Sequence, residues 1–310
     1  MVFLLETARN ILLWGALLVM CFSFDLVAQD LPVLHSDLLT VYYDNRAETA
    51  ALELLDLYPA VKAELETFFL WRIDFRPTVI LVSDRSRFRQ MVSNPSFVAY
   101  ALPSRGLIVI DQSRMHVQPF TLRITLKHEL CHLLLHRYIP VERLPKWLDE
   151  GVSQWVSDGI SEIMIPRRTR VLMWASVTGN ILSLSSLNSR FPDDDRGLFL
   201  AYEQSRSIVE HIVVNHGRNG LLNLLQALRY GLDYHEAIES SLMVSAGEIE
   251  KRWRSEQRSW MVLLSHAVAH LYTILFMLGA LALLVAYVRF QIRKRQLVDE
   301  EDVSSPWGHR

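Results

Sequence analysis

The chain has 310 residues, with 32 Lys+Arg against 34 Asp+Glu and a formal net charge of −2. That balance gives no ground for a nucleic-acid partner, and no long basic stretch with interleaved aromatics is present. Half of the residues are apolar and the mean hydropathy is +0.15, which points to some apolar length meeting lipid in addition to one or two folded domains.

Residues 1–30 read as an export signal, with its boundary at about residue 28. The apolar run 11–22, preceded by Arg9, is too short for a comfortable span and suits a signal core. Leu26 and Met20 fit cleavage sites poorly, so an uncleaved N-terminal anchor remains the alternative. Cys21 lies in this run and Cys131 is the only other cysteine, which excludes an intramolecular disulfide framework in a processed chain.

The folded part is expected over residues 30–258. Residues 38–43 (LLTVYY) are β-branched and aromatic and predict a strand. Residues 46–70 carry apolar side chains at helical spacing. Pro77 precedes a buried strand over 78–83 (TVILVS), and Asp84 and Ser86 can cap a short helix through Met91. The Pro103–Gly106 turn introduces a strand over 107–110 (LIVI), read either as a core strand or as a sheet edge that pairs with extended substrate. A helix over 121–138 ends before Pro140, and Pro145 starts another to about Asp158. The acidic loop 191–197 (FPDDDRG) reads as solvated, with a metal loop as the alternative. Helical patterns return at 198–215 and 221–229. The expected class is α+β: a small mixed sheet with helices, then a mainly helical lobe.

Residues 267–288 form an uncharged apolar stretch of about 22 residues, enough at roughly 1.5 Å each to cross a membrane core of about 30 Å. Lys251, Arg252, Arg254 and Arg258 precede it, and Arg289, Arg293, Lys294 and Arg295 follow, so the positive-inside count is nearly balanced. The N-terminal signal sets the expected orientation: a single-pass protein of the cytoplasmic membrane, its folded domain extracytoplasmic, its tail 289–310 in the cytoplasm.

The chemistry-bearing motif is His128-Glu129-Leu130-Cys131-His132, HExxH on a predicted helix. Residues four apart share a helix face, so both imidazoles can meet one ion. Glu129 is turned about 100° away and can act as a base toward water at that ion. Cys131 points elsewhere and reads as a core residue. Eighteen positions after His132 comes Glu150, in Trp147-Leu148-Asp149-Glu150-Gly151, and two helices turned back on each other can bring it to the histidines. Three protein ligands, leaving one position open, match a catalytic zinc site. His136 continues the histidine stripe one turn on and reads as exposed. His266 and His270, at the outer end of the apolar stretch, read as interfacial.

HELCH followed by KWLDEG resembles the gluzincin metallopeptidases, and more narrowly the peptidase MA-like domains of exported bacterial proteins. The resemblance covers roughly residues 35–255 and includes a later tyrosine-bearing segment, Ala201 to Ser207, running on to His216-Gly217. It implies a zincin-like fold, one Zn2+ per chain on His128, His132 and Glu150, Glu129 as catalytic base, and a peptide or protein substrate. It also suggests Tyr202 as donor to the oxyanion, against its reading as a packed aromatic, with His211 as the fallback donor. There are departures. The aminopeptidase GxMEN motif is absent, so exopeptidase specificity is unsupported. Gln154 stands where thermolysin-like relatives carry an aspartate, which leaves the group orienting a histidine unassigned. The alternative from another class is a catalytically silent, peptide-binding scaffold of the envelope, although a scaffold has no need of Glu129.

Overall fold

The computed structural model describes residues 31–44, 46–92, 94–117, 119–157, 171–257 and 270–303. The expected signal, with Cys21, and His266 lie outside the described residues.

Five strands form one mixed sheet in the order β1-β2-β3-β5-β4: β1 (Val33–His35), β2 (Thr40–Tyr43), β3 (Thr78–Val82), β4 (Ala99–Leu102) and β5 (Leu107–Asp111). The two central pairings, β2 with β3 and β3 with β5, are parallel, and the outer strands pair antiparallel. Alternation in TVILV and LIVID sends side chains to both faces. Val79, Leu81, Ile108 and Ile110 join the main core, while Ile80, Val82, Leu107 and Val109 pack with Phe88 on the other face.

This order corrects one expectation. The strand at 107–110 is interior, with β3 on one side and β4 on the other, so it cannot be the edge that receives a substrate. Local sequence reads both kinds of strand alike; the difference comes from β4, a short AYAL segment that carries too few β-branched residues to announce itself.

Helix α1 (Glu48–Phe69) buries Ala50, Ala51, Leu54, Tyr58, Val61, Leu65 and Phe69, and keeps Pro59 exposed. Helix α2 (Arg85–Met91) starts as expected, with Asp84 accepting from the Ser86 and Arg87 amides. Helix α3 (Leu122–Tyr138) is capped by Thr121, whose hydroxyl accepts from Ile124 N. It is buried on nearly every side, and Cys131, fully buried, is a core residue. Burial pushes its thiol pKa well above the ordinary range.

Pro140 lies just past α3, and Pro145 opens α4 (Lys146–Val156). Helices α5 (Val171–Thr178), α6 (Asp195–Arg229), α7 (Tyr234–Leu242) and α8 (Ala246–Gln257) complete the helical half. The two expected helices at 198–215 and 221–229 both form, as two arms of α6 that meet at Gly217, whose backbone is not helical (φ 71°, ψ 170°). Only glycine adopts that backbone easily, so the break is local and the chain resumes its helix beyond it. Trp71 ties the halves together by donating to Gln226 Oε1 at 3.1 Å.

The C-terminal segment, residues 254–310, is a separate compact unit. Its helix α9 (Leu271–Val303) contains a candidate membrane span, Leu271–Lys294, with none of its most apolar window buried. The first residues of the expected span, 267–269, lie outside the described residues, and the helix runs on into the expected tail.

Candidate metal centre

Helix α3 carries His128, Glu129 and His132, and the second turn of α4 carries Glu150. The Nε2 atoms of His128 and His132 face each other at 3.1 Å, and Glu150 Oε2 is 3.6 Å from His132 Nε2. One ligand atom from each of the three residues lies within 4.8 Å of the others. All three are buried, and Glu129 is completely so.

Three observations bear on whether a cation fits. Two nitrogens held about 2.0–2.1 Å from a tetrahedral zinc stand about 3.3 Å apart, close to the distance found. Glu150 uses Oε1 for two donors, the Lys146 ammonium at 3.3 Å and the Tyr202 hydroxyl at 3.4 Å. Its Oε2 is buried with no hydrogen-bond donor among the described residues, so this oxygen is the one left for a metal. Finally, burial disfavours the imidazolium of His132, yet the Asp149 and Glu150 carboxylates, with Glu129 adding to them, outweigh it and push its pKa up to about 10. A field that strongly favours positive charge on a buried ring favours a divalent cation in the same place.

Both rings are held from behind by α4. His132 Nδ1 donates to Asp149 Oδ1 at 2.7 Å. His128 Nδ1 lies 3.3 Å from Ser157 Oγ, whose own proton goes to Ser153 O at 2.7 Å, so the hydroxyl accepts from the ring. With each Nδ1 donating, each Nε2 keeps its lone pair for a metal. Asp149 is thus a group that the sequence left unassigned. It immediately precedes Glu150, whereas the thermolysin-like pattern directed attention four residues past Glu150, to Gln154. Gln154 instead donates to Glu150 O at 3.2 Å and Tyr202 O at 3.1 Å, joining α4 to α6.

His136 also departs from expectation. It is half-buried, and its Nε2 donates to Asp149 Oδ2 at 3.0 Å. Burial alone would raise the Asp149 pKa, but His132 and His136 outweigh it and hold this carboxyl far below its usual range. An acidic residue beside Glu150 and a histidine one turn past His132 were the available signals; what joins them is the packing of α4 on α3.

Tyr202 is packed, and its hydroxyl faces the candidate site. Its ring is buried edge-on against Phe191, centroids 5.3 Å apart, and its hydroxyl reaches the Glu150 carboxylate. His211 lies nine residues further along α6, roughly 13 Å along the axis, where its Nδ1 meets Asn215. The acidic loop serves the helix and the surface: Asp194 caps α6 through Gly197 N at 2.8 Å, and exposed Asp193 pairs with Arg190 at 2.7 Å.

Close packing of α4 on α6 brings Tyr202 to Glu150. A Cβ added to Gly151 would collide with the Ser205 carbonyl and lie 2.7 Å from Val209 Cγ2. Gly151→Ala is therefore expected to destabilise the protein by about 1–3 kcal/mol, measured by denaturant unfolding; stability equal to wild type would show that the two helices can separate without strain.

A family model described as the Peptidase MA superfamily matches residues 91–259, more than half of the chain. Among solved structures, the chain is similar to aminopeptidase A of Legionella pneumophila in complex with aspartic acid, at 12% identity and a TM-score of 0.42, covering 72% of this chain and 27% of that one. It is also similar to native yeast LTA4 hydrolase, at 14% identity and 0.42, covering 73% and 38%. A third is a zinc metallopeptidase variant from Deinococcus radiodurans, at 14% and 0.40, covering 72% and 50%. The chain thus spans half or less of each of these proteins. No curated protein matches it. The HExxH…E constellation lies inside the matched segment, and the chain belongs to the Peptidase MA superfamily.

Proposed function

We propose that this protein is a zinc metallopeptidase anchored in the cytoplasmic membrane, with its folded domain, residues 30–258, on the extracytoplasmic side. The carrying observation is the convergence of His128, His132 and Glu150 on one buried point, with Glu129 buried on the same helix turn. Family membership supports the reading, as does the exposed apolar helix α9.

His128 Nε2, His132 Nε2 and Glu150 Oε2 would hold one zinc ion per chain. Bound there, zinc would supply Lewis-acid polarisation of the scissile carbonyl and of the attacking water. Glu129 would take the proton released as that water attacks and return it to the leaving amine. Tyr202 would donate its hydroxyl proton to the oxygen that gains charge as the carbonyl carbon becomes tetrahedral. Lys146, on the same carboxylate oxygen as Tyr202, would help keep Glu150 turned so that Oε2 faces the histidines.

In this arrangement residues 1–28 are the export signal, residues 267–288 are the transmembrane helix, and residues 289–310 form the cytoplasmic tail. The described helix supports a span of 24 residues, Leu271–Lys294. At about 1.5 Å per residue that crosses a core of about 30 Å with some tilt.

Glu129→Gln should keep stoichiometric zinc and lose about 10²–10⁴ in cleavage of a library of unstructured peptides; unchanged cleavage would sink the assignment. Tyr202→Phe should also keep zinc and fold, with kcat lower by about 10²–10³; an unaffected kcat would leave Tyr202 as a packing residue only. Protease added to intact spheroplasts should degrade the domain over 30–258, whereas protection until the membrane is opened would reverse the orientation.

A further inference from the structure

The two rings of the metal centre are not supported alike. His128 is backed by a neutral hydroxyl at 3.3 Å, while His132 is backed by a carboxylate at 2.7 Å. That carboxylate does not end the chain of contacts, because its second oxygen accepts from His136 Nε2 at 3.0 Å. The side chains of Asp149 and His136 are only 12% and 16% exposed. A hydrogen bond to an ionised carboxylate is about twice as strong as a neutral one, and shielding from water strengthens it further.

We propose that His136 is a positioning residue of the metal centre, acting through Asp149 to fix the ring of His132 in the orientation and tautomer that metal binding requires. The inference rests on the zinc reading above. His128, His132 and His136 follow one another at four-residue intervals on α3 and therefore share a face. The first two turn Nε2 toward each other. The third turns Nε2 to the far oxygen of the carboxylate that holds the second. A carboxylate bonded through one oxygen can rotate about its bond to Cβ; bonded through both, to two rings on one rigid helix, it cannot. Oδ1 is thereby kept on His132 Nδ1, so Nε2 keeps its lone pair toward the ion. Removing His136 leaves every ligand in place but frees Asp149 to swing, and leaves Oδ2 without its donor in a shielded site.

A merely structural ion pair would alter stability without altering metal affinity at constant fold. The test is therefore zinc affinity, measured by competition with a chromophoric chelator on the full chain in detergent. Far-UV circular dichroism and thermal melts of the zinc-free protein report the fold. His136→Leu is expected to weaken zinc binding about tenfold or more, as loss of groups orienting a ligand generally does, with the zinc-free fold intact. His136→Gln places an N–H donor where Nε2 stands and is expected to restore most of the affinity. A wild type that binds zinc with His136→Leu binding equally well would overturn the proposal alone, as would a folded His136→Gln as weak as His136→Leu. A folded wild type that binds no zinc would overturn the zinc reading, and this proposal with it.

Discussion

Three carboxylates, Glu129, Asp149 and Glu150, are buried around two imidazoles at the junction of α3 and α4, and the rest of the site follows from that concentration of negative charge. Burying an ionised carboxylate costs several kcal/mol unless opposite charge and hydrogen bonds compensate. Lys146, whose ammonium reaches Glu150 Oε1, is itself 39% exposed. A cation between the imidazoles and Glu150 Oε2 would resolve the imbalance. Without one, a proton on His132 resolves part of it, which is why that ring holds its proton so firmly. The chemistry and the stability of the junction thus depend on the same charge.

Helix α4 does most of the arranging. It brings Glu150 to the histidines, places Asp149 and Ser157 behind their rings, and carries Gly151 at the contact with α6. Glycine at that position lets two helices approach until backbone meets side chain, so Tyr202, deep in α6, can touch a carboxylate on its neighbour. Gln154 reinforces the contact by bonding carbonyls on both helices. A larger residue at 151 would act on the catalytic geometry without touching a reacting atom.

The parts of this site legible in the sequence were those fixed by spacing along one helix. HExxH places two imidazoles on one face whatever surrounds them, and Pro140 with Pro145 marks the turn that returns Glu150. The central strands were equally legible, because TVILV and LIVI are apolar on both faces. Features set by one element meeting another were not. The strand order is such a feature, so β5 could not be told from an edge. His136 is another: a helical wheel carries it outward beyond His132, and only the packing of α4 covers it. The break near Gly217 was legible as well, because the helices read on either side of it meet at its non-helical backbone. The N-terminal signal falls outside the described residues, so the structure adds nothing to that reading.

The difference in support between the two histidines has a consequence for how the centre responds to its ligands. A carboxylate behind an imidazole raises the electron density at the far nitrogen more than a hydroxyl does, because the partial charge it places near Nδ1–H is larger. His132 is then the stronger donor of the pair and His128 the weaker. Glu150 would contribute through one oxygen, since Tyr202 and Lys146 draw on the other. On the zinc reading, the ring of His132, donating to a carboxylate at 2.7 Å, would be held more tightly than that of His128, which meets a hydroxyl at 3.3 Å.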